Sequence, residues 1–204
     1  SLDAEDDGDF STAVGHQALG AQTGTTGTVA NTAVGYQAAA GLTSATGVTA
    51  VGYKAGGSAI MTGTINTLIG TQAGTALVGG DSNTIIGADA GVATTAGTNM
   101  VLIGKGAGTA IITAAAAGAV AVGYESCYAL TSGARNTGLG YRTLKALPDG
   151  SDNTAVGHSA LLLANHADAD HNTAVGVNAG DVITNGYQNT IIGSGCDPSA
   201  SGGV

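Results

Sequence analysis

The chain has 204 residues, of which only 9% are charged and 3% aromatic, with 36 glycines and a net charge of −9. An ordinary globular domain carries about 25% charged residues, and a chain so short of large side chains cannot fill a thick core. The basic residues Lys54, Lys105, Arg135, Arg142 and Lys145 are scattered along the sequence, which argues against nucleic-acid binding and electrostatic docking on anionic membranes, since both need clustered cations.

The apolar content is nevertheless 43%, mostly Ala, Val, Ile and Leu, so the chain is not disordered. Small residues at regular spacing suit thin, flat layers. The start, Ser1-Leu2-Asp3-Ala4-Glu5, has no signal-peptide pattern. The weakly polar run from Ala110 to Val122 is too short, and too rich in Ala, Thr and Gly, to span a bilayer. The abrupt start and the Ser-Gly-Gly end read as a segment of a longer protein.

Residues 1–10 hold five acids, Asp3, Glu5, Asp6, Asp7 and Asp9. They lack the alternating ligand spacing and closing Glu of a calcium hand and read as a solvated cap or connector. Residues 11–197 are a repeat domain, and 198–204 a tail or linker.

The repeat is organised around Asn31-Thr32-Ala33-Val34-Gly35-Tyr36-Gln37-Ala38, whose first five residues return almost intact as Asn66–Gly70, Asn83–Gly87, Asn153–Gly157 and Asn172–Gly176. Looser copies end at Gly15, Gly52, Gly104, Gly123, Gly140 and Gly193, which makes eleven marker glycines 17 to 20 residues apart. A fixed period of this length is the mark of a solenoid with one coil per repeat. Each coil also carries a weaker apolar pair about seven residues after its glycine, such as Leu42-Thr43, Leu77-Val78 or Leu130-Thr131. The expected fold is all-β: a β-solenoid (parallel β-roll) of about eleven coils of 17–20 residues, with two short strands per coil. The Ala114-Ala117 run has no cap and no amphipathic face and reads as a loop.

Aligned by their glycines, the repeats form columns. The Val column (Val14, Val34, Val51, Ile69 and so on to Ile192) has no polar exception, and two residues earlier stands a column that is Thr except for Val101 and Val120. Between them, on the opposite face, a column runs Ala13, Ala33, Ala50, Leu68, Ile85, Leu102, Ala121, Gly138, Ala155, Ala174, Ile191. Successive strand residues point to opposite faces, so neither face has the polar alternation of a half-buried strand. One face packs on the coil's own second strand. The other needs a partner, most simply another copy of the chain, and Ala followed by Gly permits close approach on that side. The Asn column opens each strand, where Asn suits a turn and tolerates left-handed geometry; stacked copies can also bond amide to amide.

Cys127 and Cys196 fall in the seventh and eleventh coils, about 19 Å apart along the axis at about 4.8 Å per coil, too far for a disulfide. Cys196 takes the slot of Ala38 and Ala73, which predicts a small buried thiol.

The Asn-Thr-Ala-Val-Gly-Tyr-Gln-Ala unit resembles the head repeat of trimeric autotransporter adhesins, which reads approximately Asn-Ser-Val-Ala-Ile-Gly. It is more similar still to the Asn-Thr-Ala-Val-Gly-Tyr-Gln-Ala-Leu arrays of phage tail fibres. The resemblance spans Ser11 to about Cys196. It implies a left-handed parallel β-roll, three chains about one axis, and display outside the cell or on a virion. It places Thr32 and Val34 toward the coil interior and makes Gly35 the turn glycine. The coils here are longer than in the adhesin head, and the 204 residues contain neither its neck and stalk nor the fibre's self-cleaving chaperone tail.

No catalytic constellation stands out. Gly157-His158-Ser159 fails as a nucleophile elbow because Leu161 stands where the second Gly belongs, and no cofactor is implied. The steps into Gly35, Gly123 and Gly176 are 20, 19 and 19 residues. The extra residues must bulge as loops near Gln22–Thr28, Ala114–Gly118 and Ala164–His171, because a register slip would turn Val outward. In the last loop His166, Asp168, Asp170 and His171 have the donors to hold a divalent ion or bond a sugar; a solvated loop is the plainer reading. The residue after the marker glycine includes Tyr36, Tyr53, Tyr124 and Tyr141, which can stack on sugar rings or simply cap a thin core.

The functional expectation is a non-enzymatic homotrimeric fibre segment that attaches to a cell-surface glycan or protein, with avidity from three sites on one rod. A structural spacer without a ligand is the alternative. Ice binding is a third class, since stacked Thr columns on a flat roll can order water; it requires the Thr face to be exposed, and the parity argument buries that face.

Overall fold

The computed structural model describes residues 8–22, 27–57, 60–111, 113–166 and 169–197. It is a parallel β-solenoid. Strand β1 (Gly8–Asp9) pairs with β3 (Gly27–Thr28) in a small sheet of its own. The remaining strands are β2 (Thr12–Val14), β4 (Thr32–Val34), β5 (Thr49–Val51), β6 (Thr67–Ile69), β7 (Thr84–Ile86), β8 (Val101–Ile103), β9 (Val120–Val122), β10 (Thr137–Leu139), β11 (Thr154–Val156), β12 (Thr173–Val175) and β13 (Thr190–Ile192). They form one eleven-stranded parallel sheet in sequence order. Register is kept throughout: Thr32 pairs with Thr49, Ala33 with Ala50, Val34 with Val51. Ten steps of about 4.8 Å give a rod roughly 48 Å long.

The marker glycine is required by the stacking. Gly35 has φ +135, and a Cβ built on it would stand 2.5 Å from the carbonyl oxygen of Gly52 in the next coil. Any side chain there would push the coils apart.

The strand's inner and outer faces are the reverse of the expectation. The middle column is the core: Ala33, Ala50, Leu68, Ile85, Leu102, Ala121, Ala155 and Ala174 are all 0% exposed. The Thr and Val columns lie outside, half-buried to exposed, with Val14 at 56% and Ile192 at 69%. The reason is volume. The coil is thin, and the facing wall comes close enough that only small residues, or large ones opposite a glycine, fit between.

That facing wall is not a second strand. Its one bridge among the described residues is Leu42 with Met61. Elsewhere the chain leaves the marker glycine through alternating left- and right-handed residues: Gln37 (φ 53) and Ala39 (φ 47), Arg142 (φ 54) and Leu144 (φ 51). Left-handed non-glycine residues cost about 1–2 kcal/mol each, and a coil-to-coil hydrogen-bond ladder offsets them. Gln37 N–H donates to the His16 carbonyl of the preceding coil, and Ala39 N–H to the Ala55 carbonyl of the following one. The apolar residues seven beyond the glycine still point inward, as Leu42, Leu77, Ile111, Leu130 and Leu147 show at 0% exposure.

The Asn column forms a buried ladder. Asn66 Nδ2 donates to the Gly80 carbonyl, and its Oδ1 accepts the backbone N–H of Asn83. Farther along, amide bonds amide: Asn153 Nδ2 to Asn136 Oδ1 (3.1 Å), Asn172 Nδ2 to Asn153 Oδ1 (3.0 Å). The left-handed residue of this turn is not Asn but its predecessor, such as Ile65, Ser82 or Asp152.

Two local expectations are also corrected, and one inward residue is polar. Ala114–Ala116 form a 3-10 turn rather than an irregular loop. Cys196 is exposed, because no described coil stacks above it, whereas Cys127 is buried; both are free. Thr94 takes the inward slot of Leu77 and Ile111, and its buried hydroxyl has no partner.

Candidate functional site

The slot after each marker glycine lies at a corner of the coil, so one coil rise separates equivalent side chains. Aromatic rings in consecutive coils therefore stack. His16, Tyr36 and Tyr53 form one ladder, with centroids 5.2 and 5.5 Å apart. Tyr124, Tyr141 and His158 form a second, at 5.2 and 4.8 Å. Interplanar angles do not exceed 14°, and each such contact is worth about 0.5–1.5 kcal/mol. All four tyrosines named from the sequence are in these ladders and remain exposed at 36% to 47%. Thr71, Ala88 and Lys105 separate the two.

The second ladder is the richer. Glu125 and Arg142 share the slot after Tyr124 and Tyr141, one coil apart; Tyr128 and Lys145 share the slot three residues farther on. Glu125 accepts from Arg142 Nε at 3.0 Å and from Lys145 Nζ at 2.7 Å. The Lys145 ammonium beside it, joined by Tyr124 and Arg142, holds the Glu125 carboxyl below its ordinary range against a weaker opposing effect of burial. The Arg142 guanidinium lies over the rings of Tyr141 (5.1 Å) and Tyr124 (5.7 Å), and Lys145 Nζ lies 5.7 Å from the Tyr128 centroid.

Two grooves adjoin at Tyr128. One, of about 400 Å³, has an apolar floor of Ala129, Ala146, Leu162 and Leu163 and is rimmed by Tyr128, Arg142 and Lys145. The other, of about 360 Å³, is lined by Asp89, Val92, Lys105, Thr109, Tyr124, Glu125 and Tyr128. Folding thus brings three of the five basic residues, scattered in sequence, onto one wall. In the sequence Arg142 and Lys145 are scattered cations with no visible partner, and the available signal is Tyr128, the one ring in a column otherwise made of residues such as Ala40, Thr75, Val92 and Leu162.

The acidic loop behaves differently. Asp168 lies outside the described residues. Asp170 Oδ1 accepts the Ser151 N–H at 2.6 Å, and His171 Nε2 lies 3.7 Å from Asp152 Oδ2. Asp152 is already held by Arg135, at 2.6 and 2.7 Å through its two carboxylate oxygens. Asp170 and His171 share a groove of about 340 Å³ with Asn185 and Tyr187, and His166 is exposed. Among the described residues no three His, Cys, Asp or Glu side chains gather as metal ligands, and no helix is long and apolar enough to cross a membrane.

No family model, curated protein or solved structure matches the chain. The tail-fibre and adhesin resemblance rests on the repeat residues alone.

Proposed function

We propose that this solenoid is a segment of an extracellular homotrimeric fibre, on a virion tail or a bacterial surface, that attaches to a cell-surface glycan or protein. One observation carries the reading: eleven in-register strands present a continuous outer face of Thr and Val, Ile or Leu with no charge on it. Three residues wide and about 50 Å long, this face offers roughly 500 Å². Two such faces together come near the roughly 1,000 Å² at which specific interfaces begin. The face toward the threefold axis is the Thr/Val face, not the Ala/Gly face, which is spent on the coil interior. Sedimentation at micromolar concentration tests this: a trimer is expected, and a stable monomer overturns it.

A second reading follows from the same reversal. The outward, mostly half-buried Thr column repeats hydroxyl and methyl groups at about 4.8 Å along the axis and about 6.6 Å across to the Val column, a regular array suited to ordering water as ice. Thermal hysteresis separates the two. A trimer that hides this face gives none, and a monomer that leaves it open gives a measurable gap.

A further inference from the structure

We propose that the groove rimmed by Tyr128, Arg142 and Lys145 binds a saccharide unit that carries a carboxylate. The sugar ring lies against Tyr128 and the apolar floor at Ala146 and Leu163, and the carboxylate is taken by Arg142 and Lys145. The proposal rests on the attachment reading and names the chemistry of its ligand.

Charge selects the ligand class. The chain carries −9, yet the charged residues lining this groove are two cations, Arg142 and Lys145; Lys105, Asp89 and Glu125 line the adjoining groove. Glu125 is the internal carboxylate with which Arg142 and Lys145 pair when no ligand is bound. A ligand carboxylate offers the same chemistry from the solvent side, where Arg142 can present its fork. Tyr128 is 40% exposed and Leu163 44%, an apolar and aromatic surface of the kind on which the C–H face of a sugar rests. Every group comes from two consecutive coils and their neighbour in one chain, so the groove is complete without a second copy.

The test is calorimetric titration of the intact chain with a glucuronate-containing tetrasaccharide, against a neutral glucose tetrasaccharide of the same length. Binding of the first and not the second is expected, with affinity falling as salt rises from 50 to 500 mM, as an ion-paired contact requires. Arg142→Ala and Tyr128→Ala should each weaken it tenfold or more while circular dichroism and the melting temperature stay near those of the parent. Glu125→Gln, which removes the internal competitor, should tighten it several-fold. Equal binding of the neutral sugar, a weakened Glu125→Gln variant, or no binding of either probe overturns the proposal. Because the groove belongs to one chain, these results are independent of the sedimentation test. A trimer with an inert groove leaves the fibre reading standing, and a monomer that binds the charged sugar removes only the fibre.

Discussion

Leu68 fills the space that Gly74 leaves. A Cβ built on Gly74 would stand 2.8 Å from Leu68 Cδ2. Gly74 stands six positions after Leu68, and several other coils pair one large and one small residue in the same two slots, in either order. Ile85 stands against Gly91 and Leu102 against Gly108, whereas the coil of Ala155 has its large residue in the other slot, at Leu161. The coil has room for one large side chain between these walls, and the two slots share it.

Exchanging sizes within one coil should therefore be tolerated better than either single change. Leu68→Ala should cost about 2–5 kcal/mol by leaving a cavity, and Gly74→Leu at least about 1–3 kcal/mol by overpacking. The double variant, which copies the arrangement of Ala155 and Leu161, should be more stable than either single variant. Urea midpoints measure the coupling, and simple additivity would count against the shared slot.

Neighbouring residues on strand β11 should respond oppositely to charge. Ala155 is fully enclosed, so Ala155→Glu should prevent folding, since an unpaired buried charge costs several kcal/mol. Val156 points outward, so Val156→Glu should keep the β circular dichroism spectrum of the single chain and act only on association. Loss of fold in both variants would contradict the outward placing of the Val column.

Thr94→Val should stabilise the protein. The Thr94 hydroxyl is buried without a partner, and burial of an unsatisfied hydroxyl costs about 1–3 kcal/mol in proteins. Val keeps the shape and removes the polar atom, so a gain of about 1 kcal/mol is expected in the denaturation midpoint.

The two thiols should separate cleanly. Burial pushes the Cys127 thiol up to about 12, with hydrogen bonding from Ser126 opposing, while Cys196 is exposed. Ellman's reagent at pH 8 should titrate one equivalent in the native protein and a second only after urea unfolding.

Acid should weaken the rod through Asp149, Asp152 and Glu125. Hydrogen bonds from Ser132 and Thr131 hold the Asp149 carboxyl low, the Arg135 guanidinium does so for Asp152, and Lys145 for Glu125. A depressed carboxyl contributes stability that is present above its unfolded value near pH 4 and is lost as pH falls through the folded value. Asp181, raised by burial and by Asp197, works in the opposite sense. These groups lie at the surface, so the effect is small and salt-sensitive. The urea midpoint should be level from pH 7 to 5 and fall below about pH 4, with a shallower fall in Arg135→Ala.

The sequence by itself determined the period, the marker glycines and the register, because each is a local rule repeated eleven times. A Cβ at Gly35 meets the same carbonyl in every coil, and Thr-Ala-Val must stay in phase with its neighbours. It did not decide which strand face turns inward. The middle column is nonpolar and the flanking Thr and Val columns only weakly polar, and the test is volume across the coil, which becomes readable only when Leu68 is known to face Gly74. Nor could it show the opposite wall, whose left-handed residues Gln37, Glu125 and Arg142 carry no propensity signal and are held by hydrogen bonds between coils. That wall is what brings Glu125, Tyr128, Arg142 and Lys145 together. They are close because the turn folds slots three residues apart onto one side of the rod, and stacking lays the next coil's slots beside them.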